Sequence, residues 1–312
     1  MTKEIKNVAA SVRQRLLNLA RERKEDFNLV LTKYALERLL YRISQSPHRH
    51  LFVLKGALLF ELWTRERYRP TRDADFLSSG DGDPVRFAEI FKEICATSVA
   101  DDGLIFDPET VTAERIKENA DYEGVRVNFL GRLENARIPM QMDIGFGDTI
   151  TPEAAETAFP VILDNPPPVL LTYPPETVVA EKFEAMVKLG VANSRMKDIH
   201  DVRMLARLFA FEGKVLSEAI TNTFGRRKTA LPVSPPTIFT PEFFENEAKK
   251  QQWLAFVEKN RPYVEAMTLQ EAVGAIERFV MPLVTLAENE DAHRWAWSPS
   301  GPWLRSESTT EA

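Results

Sequence analysis

The chain has 312 residues, with 40 lysines and arginines against 46 aspartates and glutamates, so its formal net charge is −6. Hydrophobic residues make up 44% of the chain and charged residues 28%, as expected for a globular protein with one large domain or two moderate ones. This composition excludes collagen-like and disordered proteins. The single cysteine, Cys95, excludes an internal disulfide and a zinc site built from cysteines.

The charge and hydropathy patterns indicate where the protein works. Mild acidity argues against a protein coated in nucleic acid, but it is compatible with a local anion site. The sequence has no uninterrupted apolar run of about 18 residues, and its first residues lack the apolar core of a secretory signal. We therefore expect a cytoplasmic protein with no membrane partner.

The first half of the chain predicts helices followed by a mixture of strands and helices. Apolar residues recur at helical spacing twice in the first fifty residues, within 12–20 and within 36–43. Residues 51–54 form a short apolar strand that ends at Lys55-Gly56, and residues 57–63 favour a short helix. Residues 73–76 favour a second strand, and Pro84 opens a further helix.

Two later segments, 125–130 and 138–144, predict an antiparallel pair of strands. In the second segment apolar side chains alternate with Gln141 and Asp143, which places these two polar side chains on one face. Strands mixed with flanking helices indicate an α+β fold, with a small mixed sheet as its core.

Proline-rich segments at 166–168 and 174–175 mark a change of structure, because nearly all that follows has helical periodicity. We therefore predict two domains. Residues 1–165 contain the N-terminal helices and the mixed core, and residues 166–312 form a helical C-terminal domain.

The strongest chemical signal is the segment Thr71-Arg72-Asp73-Ala74-Asp75. Alternate residues of a strand point to the same face, so the two carboxylates project together and need a positive charge beside them. Mg²⁺ supplies such a charge, and Asp143 is a candidate third ligand. A solvated strand edge also explains two aspartates, and glycosyltransferases use the same pattern with a metal and a sugar nucleotide.

Basic residues along the chain add to this signal. Glycine after Lys55 permits a tight turn and a close approach of backbone N–H groups to a phosphate. Lys182 lies in a predicted helix, and Asp198 and Asp201 share a face of the next one. A lysine near a carboxylate–metal centre would neutralise a triphosphate, whereas the plainer interpretation is an ordinary helical ion pair.

In this order, the segments Lys55-Gly56-Ala57, 69–76, Met142-Asp143-Ile144, Ala180-Glu181-Lys182 and 197–201 resemble the AbiEii/AbiGii nucleotidyltransferase toxins. That family includes the MenT toxins and belongs to the DNA polymerase β-like nucleotidyltransferase superfamily. The resemblance covers residues 30 to 210. It implies a nucleotidyltransferase core followed by a helical C-terminal region.

The resemblance also implies an activity and roles for residues. The enzyme would use Mg²⁺ or Mn²⁺ to transfer a nucleotide from an NTP to RNA, in characterised relatives to the 3′ acceptor end of tRNA, and an antitoxin would be encoded beside it. The metal-binding pair of the family matches Asp73 and Asp75, and its small hydroxyl residue matches Thr71. The motif lysine matches Lys182, and the last acidic motif matches Asp198 and Asp201.

The predicted site thus assigns catalysis to Asp73, Asp75, Asp143, Lys182 and Asp198. Metal binding is assigned to the first three of these, and nucleotide binding to Lys55, Gly56, Thr71, Lys182 and Asp201. We expect the two halves of the chain to bring these side chains around one divalent cation. The arginines at positions 65, 67, 69 and 72 are predicted to meet the acceptor backbone.

Two departures from the family pattern and three alternatives remain open. Ala57 replaces the second glycine of the family's usual Lys-Gly-Gly, and the Gly-Ser pair that is common in the wider superfamily is absent near Asp73 and Asp75. The alternatives are a kinase, a protein nucleotidylyltransferase and a catalytically silent scaffold that binds nucleotide or a partner protein.

Overall fold

A computed structural model describes residues 7–64, 68–119, 122–286 and 294–305. The chain divides into two compact units, each of which is described by itself. The first comprises Met1–Arg65, Pro70–Gly147 and Ala155–Thr172, and the second comprises Glu66–Arg69, Asp148–Ala154 and Tyr173–Ala312. None of the helices within the described ranges has the length and apolar character needed to cross a bilayer.

The first unit begins with the two helices that the sequence predicts. Helix α1 spans Val8–Arg23 and starts at the Asn7 side chain, which accepts a hydrogen bond from the Ala10 amide. Helix α2 spans Phe27–Gln45 and starts at Asp26, which accepts one from the Leu29 amide. Such caps satisfy backbone N–H groups that have no partner within the helix.

The remaining elements of this unit build a mixed sheet flanked by two more helices. The elements in chain order are β1 Phe52–Lys55, α3 Leu58–Trp63, β2 Asp73–Ser78, α4 Pro84–Cys95, β3 Leu104–Asn119, β4 Tyr122–Leu133, β5 Ala136–Phe146, β6 Ala155–Ala158 and β7 Val169–Thr172. Within the described ranges, the strand order is β3-β4-β5-β2-β1-β7-β6. Strand β2 is parallel to β5 and β1 is parallel to β7, whereas the other pairs are antiparallel.

One face of this sheet is an apolar core. Phe52, Phe76 and Ile144 are fully buried on neighbouring strands. The Phe52 ring packs edge-on against Phe87 and Phe91 of α4, with ring centroids 6.3 and 5.7 Å apart. Because side chains alternate between the faces of a strand, this packing leaves the opposite face for polar residues. The predicted α+β fold is confirmed.

The second unit is mostly helical. Its helices are α5 Pro175–Leu189, α6 Met196–Leu208, α7 Gly213–Arg226, α8 Pro241–Phe244, α9 Glu247–Lys259 and α10 Leu269–Leu286. Thr268 and Glu271 hydrogen-bond reciprocally at the start of α10 and so form a capping box. Strands β8 Phe211–Glu212, β9 Trp295–Trp297 and β10 Trp303–Arg305 form a small antiparallel sheet.

Several strands carry too weak a sequence signal to be predicted. Strand β3 is rich in charged residues and contains Pro108, while β6 and β7 have only four residues each. Strand β3 pairs with β4, and β6 pairs with β7, so tertiary pairing holds these segments in strands although their own patterns do not indicate it. Strand β7 pairs with β1 in the first unit. The predicted boundary between two domains at residue 165 stays a prediction.

Candidate active site

The polar face of the first unit's sheet brings together the aspartates that the sequence singles out. Asp75 on β2 is in register with Asp143 on the parallel strand β5, and with Lys55 on the antiparallel strand β1. Asp73 lies one step along the same face, in register with Gln141. The intervening residues are buried in the core. The alternation therefore places three carboxylates on one face of two adjacent strands.

Asp143 is held by an arginine that the sequence analysis does not identify. Arg126 on β4 lies opposite Asp143 in the antiparallel register. Its Nε and Nη2 donate to the two carboxylate oxygens of Asp143 at 2.8 and 2.7 Å. Hydrogen bonding to Asp143 raises the pKa of Arg126 above its ordinary value. The antiparallel pairing of 125–130 with 138–144 is the one sequence signal that could have located this residue.

Gly56 is required where it stands, because the Asp75 carboxylate packs against it. The residue has φ +78°, in the region that favours glycine. A Cβ atom added there would lie 2.0 Å from Asp75 Oδ2, so no larger residue fits without moving the carboxylate. Lys55, just before it, is buried, with 7% of its surface exposed. The Lys55-Gly56 turn is thus built around Asp75.

Thr71 orients the other carboxylate of the pair. Thr71 lies two residues before Asp73, the first residue of β2, and its hydroxyl donates a hydrogen bond to Asp73 Oδ1. Both residues are partly exposed. Thr71 therefore holds the Asp73 carboxylate in place, and any effect of Thr71 on ligand binding would pass through Asp73.

Asp73 and Asp75 have the oxygen ligands that a divalent cation prefers. The predicted third ligand, Asp143, does not form a metal-binding group with them in this structure. Mg²⁺ takes oxygen ligands and is usually held by one or two carboxylates together with substrate phosphates. Asp73 and Asp75 supply such a pair. Among the described side chains no group of three carboxylates, imidazoles or thiols could hold a metal ion, and both oxygens of Asp143 are engaged by Arg126. Metal binding by Asp143 stays a prediction.

The second unit brings together Lys182, Asp198 and Asp201, as the helical spacing predicts. Lys182 on α5 places its Nζ 2.5 Å from Asp198 Oδ1 and 3.0 Å from Asp201 Oδ2, both on α6. Asp201 is fully buried and also accepts hydrogen bonds from Arg69, at 3.0 and 2.7 Å, and from the Tyr68 hydroxyl. Lys182 is thus the shared cation of two carboxylates.

Burial and charge act against each other in this cluster. Burial alone would raise the pKa of the Asp201 carboxyl, but Arg69 and Lys182 hold it well below its usual range. Burial would lower the pKa of Lys182, but Asp198 and Asp201 outweigh it and raise that pKa. Burial together with Asp201 raises the pKa of Tyr68. Asp201 and Lys182 therefore stay charged, and Tyr68 stays neutral, at physiological pH.

The arginines near position 70 do not act as one group. Arg69 belongs to the second unit, where it donates hydrogen bonds to Asp201. Arg72 is exposed in the first unit. Arg65 and Arg67 lie outside the described residues. The charge of Arg69 is already paired with Asp201, and contact of the cluster with an acceptor backbone stays a prediction.

Arg227 organises a second cluster of charged side chains in the second unit. It contacts Asp148 Oδ1 at 3.0 Å, Glu184 Oε2 at 3.0 Å and Glu181 Oε2 at 3.5 Å. The Tyr173 hydroxyl donates to the other oxygen of Glu181 at 3.1 Å. Glu181 and Lys182, adjacent on α5, therefore serve different clusters. Nothing in the run Arg226-Arg227-Lys228 distinguishes the buried arginine.

These features define a class of protein. A mixed sheet that carries two aspartates on one strand, a third in register on the next strand and a Lys-Gly turn against them agrees with the nucleotidyltransferase core that the motif resemblance implies. A family model described as "Nucleotidyl transferase AbiEii toxin, Type IV TA system" matches residues 38–277. The chain therefore belongs to the AbiEii family and is a nucleotidyltransferase toxin of a type IV toxin–antitoxin system.

Two solved structures match this chain at low sequence identity. One is JHP933 from Helicobacter pylori, with 12% sequence identity, a TM-score of 0.41 and coverage of 80% of this chain and 87% of that protein. The other is described as a "putative nucleotidyltransferase from H. pylori", with 13% identity, the same TM-score and coverage of 80% and 89%. No curated protein sequence is significantly similar to this chain.

Proposed function

We propose that the enzyme transfers a nucleotide from an NTP to RNA, at the 3′ acceptor end of tRNA, and thereby blocks translation. The reaction would depend on Mg²⁺ or Mn²⁺ and would take place in the cytoplasm, where both substrates are present. A cognate antitoxin would keep the activity in check. The observation that carries the proposal is the in-register placement of Asp75 and Asp143 beside Asp73 on one polar face.

The proposed chemistry is a single displacement at the α-phosphorus of the NTP. The 3′-hydroxyl oxygen of the acceptor forms a bond to this phosphorus, the bond to the bridging oxygen of the β-phosphate breaks, and pyrophosphate leaves. A divalent cation bound by Asp73 and Asp75 would neutralise phosphate charge. Asp143, oriented by Arg126, would accept the hydroxyl proton or complete the metal site.

The first unit's other site residues would position the nucleotide. Lys55 supplies a positive charge at the end of β1, level with Asp75. Gly56 leaves room for the carboxylate and for a close approach of phosphate to the backbone. Thr71 fixes the orientation of Asp73 through its hydroxyl. Each of these roles is one of positioning, so its loss would slow transfer without changing the reaction.

The second unit's cluster would serve the same reaction. Lys182 would bind phosphate, and Asp198 would hold its side chain in place. Asp201 is fully buried and already bound by Arg69, Tyr68 and Lys182. We therefore assign it a positioning role in place of the predicted direct contact with nucleotide.

The test is incubation of the purified protein with each α-labelled NTP, total tRNA and Mg²⁺ or Mn²⁺. We expect label in tRNA, lost in Asp73→Asn and Asp75→Asn. Asp81→Asn is the matched control, because Asp81 is exposed and makes no contact in the described structure. If no NTP labels RNA with any divalent metal, the proposal is wrong. Label in protein would indicate a protein nucleotidylyltransferase, and label from γ-labelled ATP a kinase.

A cellular test separates the enzyme from a silent scaffold. We expect expression of the wild-type chain to arrest growth and Asp73→Asn to relieve the arrest at equal protein level. A scaffold that acts by binding alone would remain toxic after this substitution. Co-expression of the adjoining reading frame is expected to restore growth if that frame encodes the antitoxin.

A further inference from the structure

A cavity of the first unit opens beside Asp73, between α2 and the strands β4 and β5. Its volume is about 670 Å³, within the roughly 300–1,000 Å³ range of ligand pockets. Eight polar or charged residues from four elements or their flanks line it: Asp26, Asn28, Thr32, Arg72, Asp73, Asn128, Arg137 and Gln141. Of the residues that line the cavity, only Asp73 has a role in the proposed reaction.

The cavity has unused capacity to bind an anion. Two carboxylates line it, and each already accepts a hydrogen bond: Asp26 from the Leu29 amide and Asp73 from the Thr71 hydroxyl. Two guanidinium groups line it as well, those of Arg72 and Arg137, and both side chains are exposed. Neither forms an ion pair or hydrogen bond within the described ranges. Each offers planar donors that match a phosphate group.

The other lining groups suit a nucleobase. The side-chain amides of Asn28 and Asn128 make no hydrogen bond in the described part of the chain, and an amide offers both donors and an acceptor to a base edge. Leu31 and Ile138 supply buried apolar surface in the same cavity. Cationic, amide and apolar groups in one cavity next to a catalytic carboxylate match a nucleotide better than an isolated phosphate.

The position of the cavity distinguishes the acceptor from the NTP. In the strand order, β1 lies on one side of β2, and β5 followed by β4 lies on the other. The Lys55-Gly56 turn approaches the aspartates from the β1 side, where we place the triphosphate. The cavity reaches Asp73 from the β5 side. A displacement needs its two substrates on different sides of the reacting phosphorus, so the cavity is left for the acceptor.

We infer that this cavity binds the 3′-terminal nucleotide of a single-stranded RNA acceptor, with Arg72 and Arg137 on its phosphates and the two asparagines on its base. The inference rests on the proposed function, because it places the acceptor of that reaction. It adds a binding site and names the residues that would select a nucleic-acid end.

The test measures RNA binding without catalysis. A short fluorescent single-stranded RNA is titrated with the protein in EDTA, without NTP, over a range of salt concentrations. We expect Arg72→Gln/Arg137→Gln to weaken binding about tenfold at ~0.1 M salt. The slope of log affinity against log salt should fall by about 1.4, because each single-strand phosphate contact contributes about 0.7. Arg86→Gln is the matched control: Arg86 is exposed, lies outside the cavity and contacts the Phe87 ring, without an ion pair in the described part of the chain.

A second arm tests the direction in which the RNA lies. An RNA with a 3′-phosphate would bring a further negative charge against Asp73, so it should bind more weakly than the same RNA with a 3′-hydroxyl. Asp73→Asn should reduce that discrimination. Equal binding of both ends by the wild type would contradict the placement.

A thermal unfolding measurement checks that the arginine variants fold. Because all three substituted arginines are exposed, the unfolding temperature should be unchanged.

The remaining outcomes separate the two proposals. Wild-type affinity and slope in the double variant would overturn the cavity assignment, whether or not RNA is labelled. A raised KM for NTP with unchanged RNA binding would assign the cavity to the NTP and overturn the inference. Reduced labelling of a protein acceptor with unchanged RNA binding would assign it to a peptide. Loss of RNA binding in the double variant, with no NTP ever labelling RNA, would support the cavity site and overturn only the proposed transfer.

Discussion

Asp75 and Asp143 lie in register on the parallel strands β2 and β5, with Arg126 bound to the second carboxylate by two hydrogen bonds. Neighbouring strands are about 4.8 Å apart, so two negative charges on one face repel each other. Arg126 offsets this repulsion from the β4 side. On the β1 side, Gly56 approaches Asp75 so closely that an added Cβ atom would lie 2.0 Å from Asp75 Oδ2.

Removal of Arg126 should strengthen cation binding. In Arg126→Gln the charge of Asp143 is no longer paired, so the negative potential at Asp75 increases and Mn²⁺ should bind at least about threefold more tightly. The measurement is Mn²⁺ titration by calorimetry. Arg132→Gln is the control, since Arg132 lies on the same strand and pairs with Asp107 away from the site. An unchanged or weaker Mn²⁺ affinity would contradict the role given to Arg126.

A methyl group at Gly56 should displace Asp75. Gly56→Ala places Cβ 2.0 Å from Asp75 Oδ2, and we expect at least about a tenfold loss of nucleotide transfer, since displacement of a catalytic group by about 1 Å has large effects on rate. Gly190→Ala separates this clash from backbone strain: Gly190 also has a positive φ, of +48°, but apart from its chain neighbours no atom of the described residues lies within 4 Å of an added Cβ. Equal losses of transfer activity in both variants would show that backbone strain, and not the clash with Asp75, causes the loss in Gly56→Ala.

Neutralisation of Asp201 should destabilise the protein. Asp201→Asn leaves Arg69 and Lys182 without the buried carboxylate that both contact, and we expect the free energy of unfolding to fall by about 3–5 kcal/mol. Urea denaturation at pH 7 measures it. The control Glu265→Gln removes the partner of Arg203, and because Glu265 is 67% exposed, its loss should cost less than about 1 kcal/mol. Similar losses in both variants would show that burial does not decide the effect.

His200 should make stability depend on pH. Its side chain is buried against Tyr68, and its Nε2 has no hydrogen-bond partner among the described residues. Burial lowers the pKa of His200 to about 4 from an ordinary 6.5. The unfolded chain therefore binds the proton first, so stability is fully present above pH 6.5 and falls as the pH drops toward 4. The difference amounts to about 3 kcal/mol.

The comparison between variants isolates this effect. Glu37 acts in the opposite direction, because burial raises its pKa to about 7 and its contribution is lost as the pH rises from 4.5 to 7. His200→Gln should remove the loss of stability between pH 6.5 and 4 and leave the Glu37 trend. His50→Gln, at an exposed position, should leave the wild-type profile unchanged. A His200→Gln profile parallel to that of the wild type would refute the assignment.

Local patterns predicted the elements that carry the site. Alternation identified β5 and its polar face, and the spacing of Asp73 and Asp75 placed both on one face of β2. Helical spacing brought Asp198 and Asp201 to the same side of α6, where Lys182 contacts both. These predictions succeeded because strand and helix periods fix the directions of side chains from the sequence alone.

The sequence by itself determined which residue types lie on each face, where the caps and turns fall, and the family to which the ordered motifs point. Only the tertiary structure decided that Arg126 binds Asp143, that Arg69 is turned to Asp201, and that Arg227 serves three carboxylates while its neighbour Arg226 stays exposed. Pairing between charged side chains depends on strand register and helix packing, which join residues far apart in sequence. Local periodicity therefore predicts the direction of a side chain but not its partner.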